Sequence, residues 1–243
     1  MGRVKIFMDL KRFFSEEIDY PRRRAVLRGE EFVHAVKVTR HKVGYFLILC
    51  GNDGYDYYGK VTDISSDALY AEITERVLND SETVRPVILY AAVGKDFDTV
   101  VQKAVELGVK KIVPFFSERT NIDKVNLPRL KKIVFESSKQ CGRSCLAEIT
   151  APINFDQAVK EAKNGNAVMF YEFERERKIS SAEWDNEQPV NVFIGAEGGF
   201  SEAEKQLFID NGGKTYTLGK RILRVATAVV SALTLVLEKL GEA

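Results

Sequence analysis

The chain has 243 residues, with 36 Lys and Arg against 35 Asp and Glu, a net charge of +1, 45% hydrophobic and 29% charged residues. That balance excludes a polycation and a disordered polar chain, and the length suits one large domain or two ordinary ones. If the protein binds nucleic acid, its basic charge must be local.

The first five residues, MGRVK, are already charged and have no apolar stretch behind them, so no secretory leader is expected. Ile6 stands where an N-myristoylation signal has Ser or Thr. From Val4 to about Thr74 the segments are short and strand-like. YFLILCGNDGYDYYGKVTDI, residues 45–64, reads as a hairpin turning at Gly51 to Gly54, and ALYAEITERV, 68–77, as a further strand. The rhythm changes near Asn79 to Arg85, which divides the chain into domains over 1–80 and 81–243.

Beyond that boundary strands and helices alternate. PVILYAAV is a strand, DFDTVVQKAVELG a helix stopped by Gly108, and KKIVPFF a strand. LPRLKKIVFESSKQCG is a helix with Pro128 in its first turn, and FDQAVKEAKNG another. AVMFYEF and VNVFIG are strands, and SEAEKQLFIDNGG is a helix with a Ser201–Glu204 capping box. KTYTLG is a strand and LRVATAVVSALTLVLEKLG the last helix, whose apolar run Val225 to Leu237 is too short for a bilayer and is expected to be buried. The pattern is that of an α/β domain with a mainly parallel sheet. Three cysteines, Cys50, Cys141 and Cys145, suit a reducing compartment, so a cytoplasmic location is expected and no membrane association. Cys141 and Cys145 are spaced for one helix face but lack a second Cys/His pair, so they are expected to be small buried apolar residues and no metal is expected. His34 and His41 are isolated and suit packing or surface roles.

Ligands of such sheets bind beyond the carboxyl ends of the strands. Gly195 ends VNVFI and Gly219 follows KTYTL, where glycine permits positive φ and close approach of a ligand to the main chain. The order G-A-E-G-G-F is not a dinucleotide fingerprint, and a carboxylate in its middle would repel phosphates, which argues against a nucleotide-dependent Rossmann enzyme. In LGKRILRVATAVV, Lys220, Arg221 and Arg224 crowd the start of a helix, where the helix dipole disfavours cations; anionic partner groups such as RNA phosphate would account for them.

The pair IGAEGGFSEAE and LGKRILRVATAVVSAL resembles the signature of the RsmE family of SPOUT methyltransferases, close to I-G-P-E-G-G-[FW]-[ST]-x-x-E followed by L-G-x-R-I-L-R-x-E-T-A. Lys95, Lys103, Glu106, Leu107, Gly108, Pro114, Ser117, Glu118 and Arg119 match a further family stretch, as do Glu136, Gln140 and Arg143 in ESSKQCGRS. His34, Val38, Arg40, Lys42 and Gly44 resemble its N-terminal segment. The resemblance covers nearly the whole chain. It implies an N-terminal PUA-like β-barrel, a C-terminal SPOUT domain with a trefoil knot, a homodimer, and S-adenosylmethionine-dependent methylation of N3 of one uridine in 16S ribosomal RNA of the small subunit.

Carried over residue by residue, the cofactor would lie among Leu218, Gly219, Ile222, Leu223, Arg224 and Thr227 on one side. Gly195, Glu197, Gly198 and Gly199 would line the other, with Tyr171 and Glu172 from a third loop. Arg119, Arg143, Arg221 and Arg224 are the candidates to stabilise charge developing on the uracil, while the base that removes the N3 proton is a carboxylate or solvent. Two positions depart from the pattern: Ala196 replaces proline and Ala226 replaces glutamate. If that glutamate were the base, the chain would be a catalytically silent RNA-binding or ribosome-assembly factor; a SPOUT enzyme with another RNA target is the other alternative. Finally, residues 1–80 balance at 13 basic and 13 acidic, yet seven cations fall between positions 20 and 42. Arg22, Arg23, Arg24, Arg28, Arg40 and Lys42 are the expected RNA contacts, with Lys37 beside them.

Overall fold

The structure, a computed structural model, describes residues 10–242. The readings that concern residues 1–9, including the start of the strand-like zone at Val4, lie outside the described residues. The chain divides into two compact units. One gathers the residues up to Glu82 with Ser138–Leu146; the other holds Thr83–Ser137 and the residues from Ala147 onward.

The first unit is a six-stranded sheet. Its strands are β1 (Arg12–Phe14), β2 (Glu17–Asp19), β3 (Arg24–Arg28), β4 (Phe46–Cys50), β5 (Tyr55–Ile64) and β6 (Ala68–Leu78), in the order β1-β4-β5-β6-β3-β2. All neighbours are antiparallel except β1 and β4. Period-two alternation puts Ala25 and Leu27, Leu47 and Leu49, Tyr57 and Val61, and Leu69, Ala71 and Ile73 into one core with Phe13. Gly59 sits in the middle of β5 because a Cβ there would lie 3.0 Å from the Leu49 side chain. Register shifts beside Gly59 and after Val61 bend the long β5–β6 hairpin.

The sequence reading of this zone as strands alone misses a helix, α1 (Gly29–Val33), which continues as a wide turn over His34–Val38. It places Phe32 and Ala35 in the core. His41 is buried with its ring edge-on to Phe13 and Nδ1 2.8 Å from the Thr39 hydroxyl, a packing role.

The segment Ser138–Leu146 completes this unit. Asp56 is buried against the Arg12 guanidinium, the Ser144 hydroxyl and the Asn79 amide. Burial opposes its charge, but these three bonds prevail and hold its pKa below the ordinary carboxylate value. Asn79 also donates to the Gly142 carbonyl, and Asn52 accepts from the Leu146 amide. The cysteine expectation needs correction. The helix ends at Cys141 because Gly142 takes φ +89°, so Cys145 is not on its face, and both cysteines are half-buried; only Cys50 is buried.

The second unit is a parallel sheet of β7 (Val87–Ala92), β8 (Lys111–Phe116), β9 (Glu148–Ile149), β10 (Ile153–Asn154), β11 (Asn166–Phe170), β12 (Val190–Ile194) and β13 (Lys214–Tyr216). The order is β10-β8-β7-β12-β11-β13, and β9 pairs with the start of β8. The helices are α2 (Phe97–Glu106), α3 (Leu127–Cys141), α4 (Phe155–Ala162), α5 (Glu202–Asp210) and α6 (Val225–Leu240). One sheet face carries Tyr90, Val113, Phe115, Met169 and Phe193 under Phe155 and Val159 of α4 and Phe208 of α5. Tyr90 and Phe193 stack with centroids 4.5 Å apart. On α6, packed with α2 and β12, only one face is fully buried: Val229, Ala232, Leu233, Val236 and Leu237. The buried-helix expectation therefore holds for that face, whereas Val225, Ala226, Val230 and Leu235 remain partly exposed. No helix among the described residues is long and apolar enough to cross a membrane.

Candidate active site

The strand order switches direction between β7 and β12. From β7 the chain runs outward through β8 to β10; it then returns beyond β12, so β11, β12 and β13 form the other half. Loops leaving the carboxyl ends of β11, β12 and β13 surround a cavity of about 270 Å³.

The loop after β12 is a tight turn. Gly199 donates to the Ala196 carbonyl at 2.9 Å and takes φ +67°. A Cβ on Gly199 would run into the Glu172 carboxylate, and one on Gly198 would press on the Arg119 side chain. Glycine is thus required by the close approach of two neighbouring loops. Arg119 closes that side by donating to the Gly198 carbonyl at 2.7 Å. Glu197 reaches across to the end of β7 and accepts from the Lys95 amide at 3.1 Å.

The turn runs into α5 through the expected capping box. The Ser201 hydroxyl accepts from the Glu204 amide at 3.2 Å, and the buried Glu204 carboxylate accepts from Ser201 N at 2.8 Å. Its other oxygen accepts from Glu118 N at 2.9 Å, tying the Arg119 loop to the same helix start.

The loop after β11 is organised around Glu174. Its carboxylate accepts from the amides of Arg175, Glu176 and Arg177 and from the Thr215 hydroxyl. Burial works against the charge, but these bonds outweigh it and lower the pKa. Thr217 N donates to the Arg177 carbonyl at 2.9 Å, joining this loop to the chain leaving β13. Tyr171 is buried and donates to Glu202 at 3.1 Å, and burial followed by that bond pushes its pKa up to about 12.

A family model described as an RNA methyltransferase domain matches residues 81–237. The ribosomal RNA small subunit methyltransferase E of Mesomycoplasma hyopneumoniae is 33% identical over 82% of this chain and 88% of its own length. The chain belongs to the RsmE family of RNA methyltransferases. The Bacillus subtilis relative of the same name is 27% identical over 86% of this chain and 87% of its own. The crystal structure of the Neisseria gonorrhoeae enzyme, described as bound to S-adenosyl methionine, superposes with a TM-score of 0.85 at 26% identity, covering 95% of this chain and 98% of that one.

In this RsmE family member, the residues expected at the cofactor divide cleanly. Tyr171, Glu172, Gly195, Glu197, Gly198 and Gly199 line the cavity, as do Leu218, Gly219, Ile222 and Leu223. Arg224 and Thr227 are not among the lining residues. Arg224 caps the N-terminus of α6 with extended backbone, and its side chain is exposed; Thr227 is on the exposed side of the first helical turn.

The four arginines proposed for the chemistry also separate. Arg119 and Arg221 line the cavity, whereas Arg143 belongs to the first unit. There it is 2% exposed, with Nε and Nη2 donating to Glu82 at 2.9 and 2.7 Å. Arg143 is a buried structural ion pair.

Of the expected RNA contacts, Arg22, Arg23 and Arg24 come together along a cavity of about 660 Å³ with Thr62, Tyr70 and Glu72. Arg28 is instead engaged by Glu17 and Asp67, and Arg40 and Lys42 are exposed on the turn before β4. Ala196, noted in the sequence as replacing proline, also lines the first cavity, and Phe170, Phe173, Ile194, Val225 and Ala228, which line it too, were missed. Their only sequence signal is position: last residue of a strand for Phe170 and Ile194, the loop after β11 for Phe173, and the first turn of a helix for Val225 and Ala228.

Proposed function

We propose that this enzyme transfers the methyl group of S-adenosylmethionine to N3 of a uridine in 16S ribosomal RNA of the small subunit. The observation that carries the reading is the cavity at the carboxyl edge of β11, β12 and β13, where Arg119 and Arg221 stand beside Glu172 and Glu197. Its walls suit the cofactor. Ile194, Leu218, Leu223 and Val225 offer apolar surface to an adenine, and two carboxylates favour a sulfonium cation. The cofactor supplies an electrophilic methyl, so the chain's remaining tasks are to orient the base and to stabilise charge as the N3 proton leaves. This reading gives Arg119 and Arg221, which line the cavity, the task of stabilising a developing negative oxygen on the uracil. Arg224, exposed at the start of α6, is assigned to the RNA.

The same reading takes the first unit as a PUA-like RNA-binding barrel, supported by its six-stranded, mainly antiparallel sheet and the Arg22–Arg24 cavity. The second unit is read as a knotted SPOUT domain, supported by the bonds between the loop after β11 and the chain leaving β13. It also makes the enzyme a homodimer. Ile222 and Phe173, 90% and 63% exposed at the cavity, and the half-exposed face of α6 are apolar surface for a second copy.

The test is transfer of labelled methyl from S-adenosylmethionine to small subunits lacking the modification, with the product nucleoside identified by mass spectrometry. N3-methyluridine is expected. Arg221→Ala is expected to lower kcat about a hundredfold with cofactor affinity kept, and Arg224→Ala to abolish transfer with the fold intact. Cofactor binding without transfer to any ribosomal RNA would refute the reading and favour a silent assembly factor, for which Ala226 would be the reason.

A further inference from the structure

A second cavity, of about 340 Å³, opens at the carboxyl end of β7 between the start of α2 and the segment before α3. It shares a boundary with the cofactor cavity. Glu197 lines the first cavity, and its carboxylate rests on Gly94 and Lys95, which line the second. A Cβ on Gly94 would stand 2.8 Å from Glu197 Oε2, so the two cavities are separated there by a single carboxylate.

The second cavity is amphipathic. Val93, Phe97, Ile122, Val125 and Leu130 make apolar walls. Arg129 is neutralised by Asp98, with Nε donating at 2.7 Å, and Asn126 is occupied in accepting from the amide of Arg129. That leaves Lys95 and Lys124. Both are exposed, and among the described residues neither ammonium has a hydrogen bond or ion pair. The cavity therefore carries two ammonium groups that have no ion-pair partner among the described residues, over apolar walls. A ligand that matches it has an anionic group and a flat or partly apolar body.

We infer that this cavity holds a nucleotide of the RNA substrate next to the cofactor, with its phosphate between Lys95 and Lys124. The inference rests on the RNA methyltransferase reading above. It adds a positioning role for Lys95 and Lys124: they anchor the phosphate and so fix where the neighbouring base lies relative to the Glu197 wall. Neither side chain touches the reacting atoms. Their effect falls on RNA binding and on its salt dependence, and leaves cofactor affinity alone.

The experiment compares the wild-type full chain with Lys95→Met, Lys124→Met and the double variant, with Lys163→Met, exposed between α4 and the start of β11, as control. Thermal melting and S-adenosylmethionine affinity check the fold. On small subunits, kcat/KM is expected to fall about tenfold for each cavity lysine. The slope of log kcat/KM against log salt is expected to become shallower by about 0.7 per lysine removed, as for a lost phosphate contact to single-stranded RNA. Lys95→Arg is expected to recover most of the loss, and Lys163→Met to match wild type. In parallel, a fluorescent 5′-phosphorylated uridine trinucleotide is titrated against the same proteins. Weaker binding and a shallower salt slope in the double variant support the cavity even if wild type methylates no small subunit, a result that would sink the ribosomal reading alone. Unchanged trinucleotide binding and unchanged salt dependence in the double variant overturn the inference.

Discussion

Glu204 joins two loops of the site, and its removal can be worked through in numbers. In Glu204→Ala, Ser201 N loses its only acceptor among the described residues in a position that is 6% exposed, and Glu118 N loses its acceptor on an exposed loop. A lost bond between a buried amide and a charged group costs about 1.5–3 kcal/mol, and one at an exposed amide nearer 0.5–1.5 kcal/mol because water replaces it. The sum is about 3 kcal/mol. At about 2–4 °C per kcal/mol for a chain of this size, the melting temperature should fall by roughly 6–12 °C. Glu204→Gln keeps one carbonyl acceptor and should lose about half as much. The damage should also reach the site, because the loop released from Glu118 carries Arg119 and its bond to Gly198. Calorimetric melting of the three proteins, with titration of S-adenosylmethionine, checks both parts. A fall below about 2 °C in Glu204→Ala, with unchanged cofactor affinity, would refute the reasoning.

Three further outcomes are expected. Gly199→Ala should cost about 1–2 kcal/mol for left-handed backbone and weaken cofactor binding by displacing the Glu172 carboxylate; wild-type melting and affinity would contradict this. Arg143→Met should destabilise by about 3–5 kcal/mol, since it removes a buried guanidinium from the Glu82 carboxylate, while the protein that remains folded at low temperature keeps wild-type turnover; lost turnover in that folded protein would restore a catalytic role. Tyr171 holds its proton more tightly in the folded chain, so its contribution to stability is complete below its ordinary pKa near 10 and disappears as the pH rises to about 12. Between those values wild type should lose stability more steeply than Tyr171→Phe, and parallel curves from chemical denaturation would count against the Glu202 hydrogen bond.

The parallel sheet was legible because its strands are short apolar runs closed by glycine, and VNVFI is buried at all five positions. The capping box was legible because its spacing is local. The pieces β9 and β10 were not, since two residues carry no period. The helix over Gly29–Val33 was hidden by β-branched and aromatic neighbours that read equally well as strand. In the site, the glycines and Glu197 stood out as a motif, whereas Phe170 and Ile194 looked like any strand residue. Arg143 shows the limit most plainly. Its partner, Glu82, is 61 positions away, and a cation that will meet a carboxylate has the same one-letter code as one that will meet a substrate.

The membership of Ser138–Leu146 in the first unit bears on how the protein is made. During synthesis the N-terminal residues leave the ribosome first, yet Asp56, Asn79 and Glu82 wait for Ser144, Gly142 and Arg143. The 64 residues that follow Glu82, up to Leu146, must be translated before that unit can close. At about 5–20 residues per second the delay is roughly 3–13 s. Through that interval a nearly complete β-sheet stands with an acidic, half-solvated seam, and the second unit has begun to emerge before the first is finished. A fragment ending at Glu82 would be held in the state that the nascent chain only passes through.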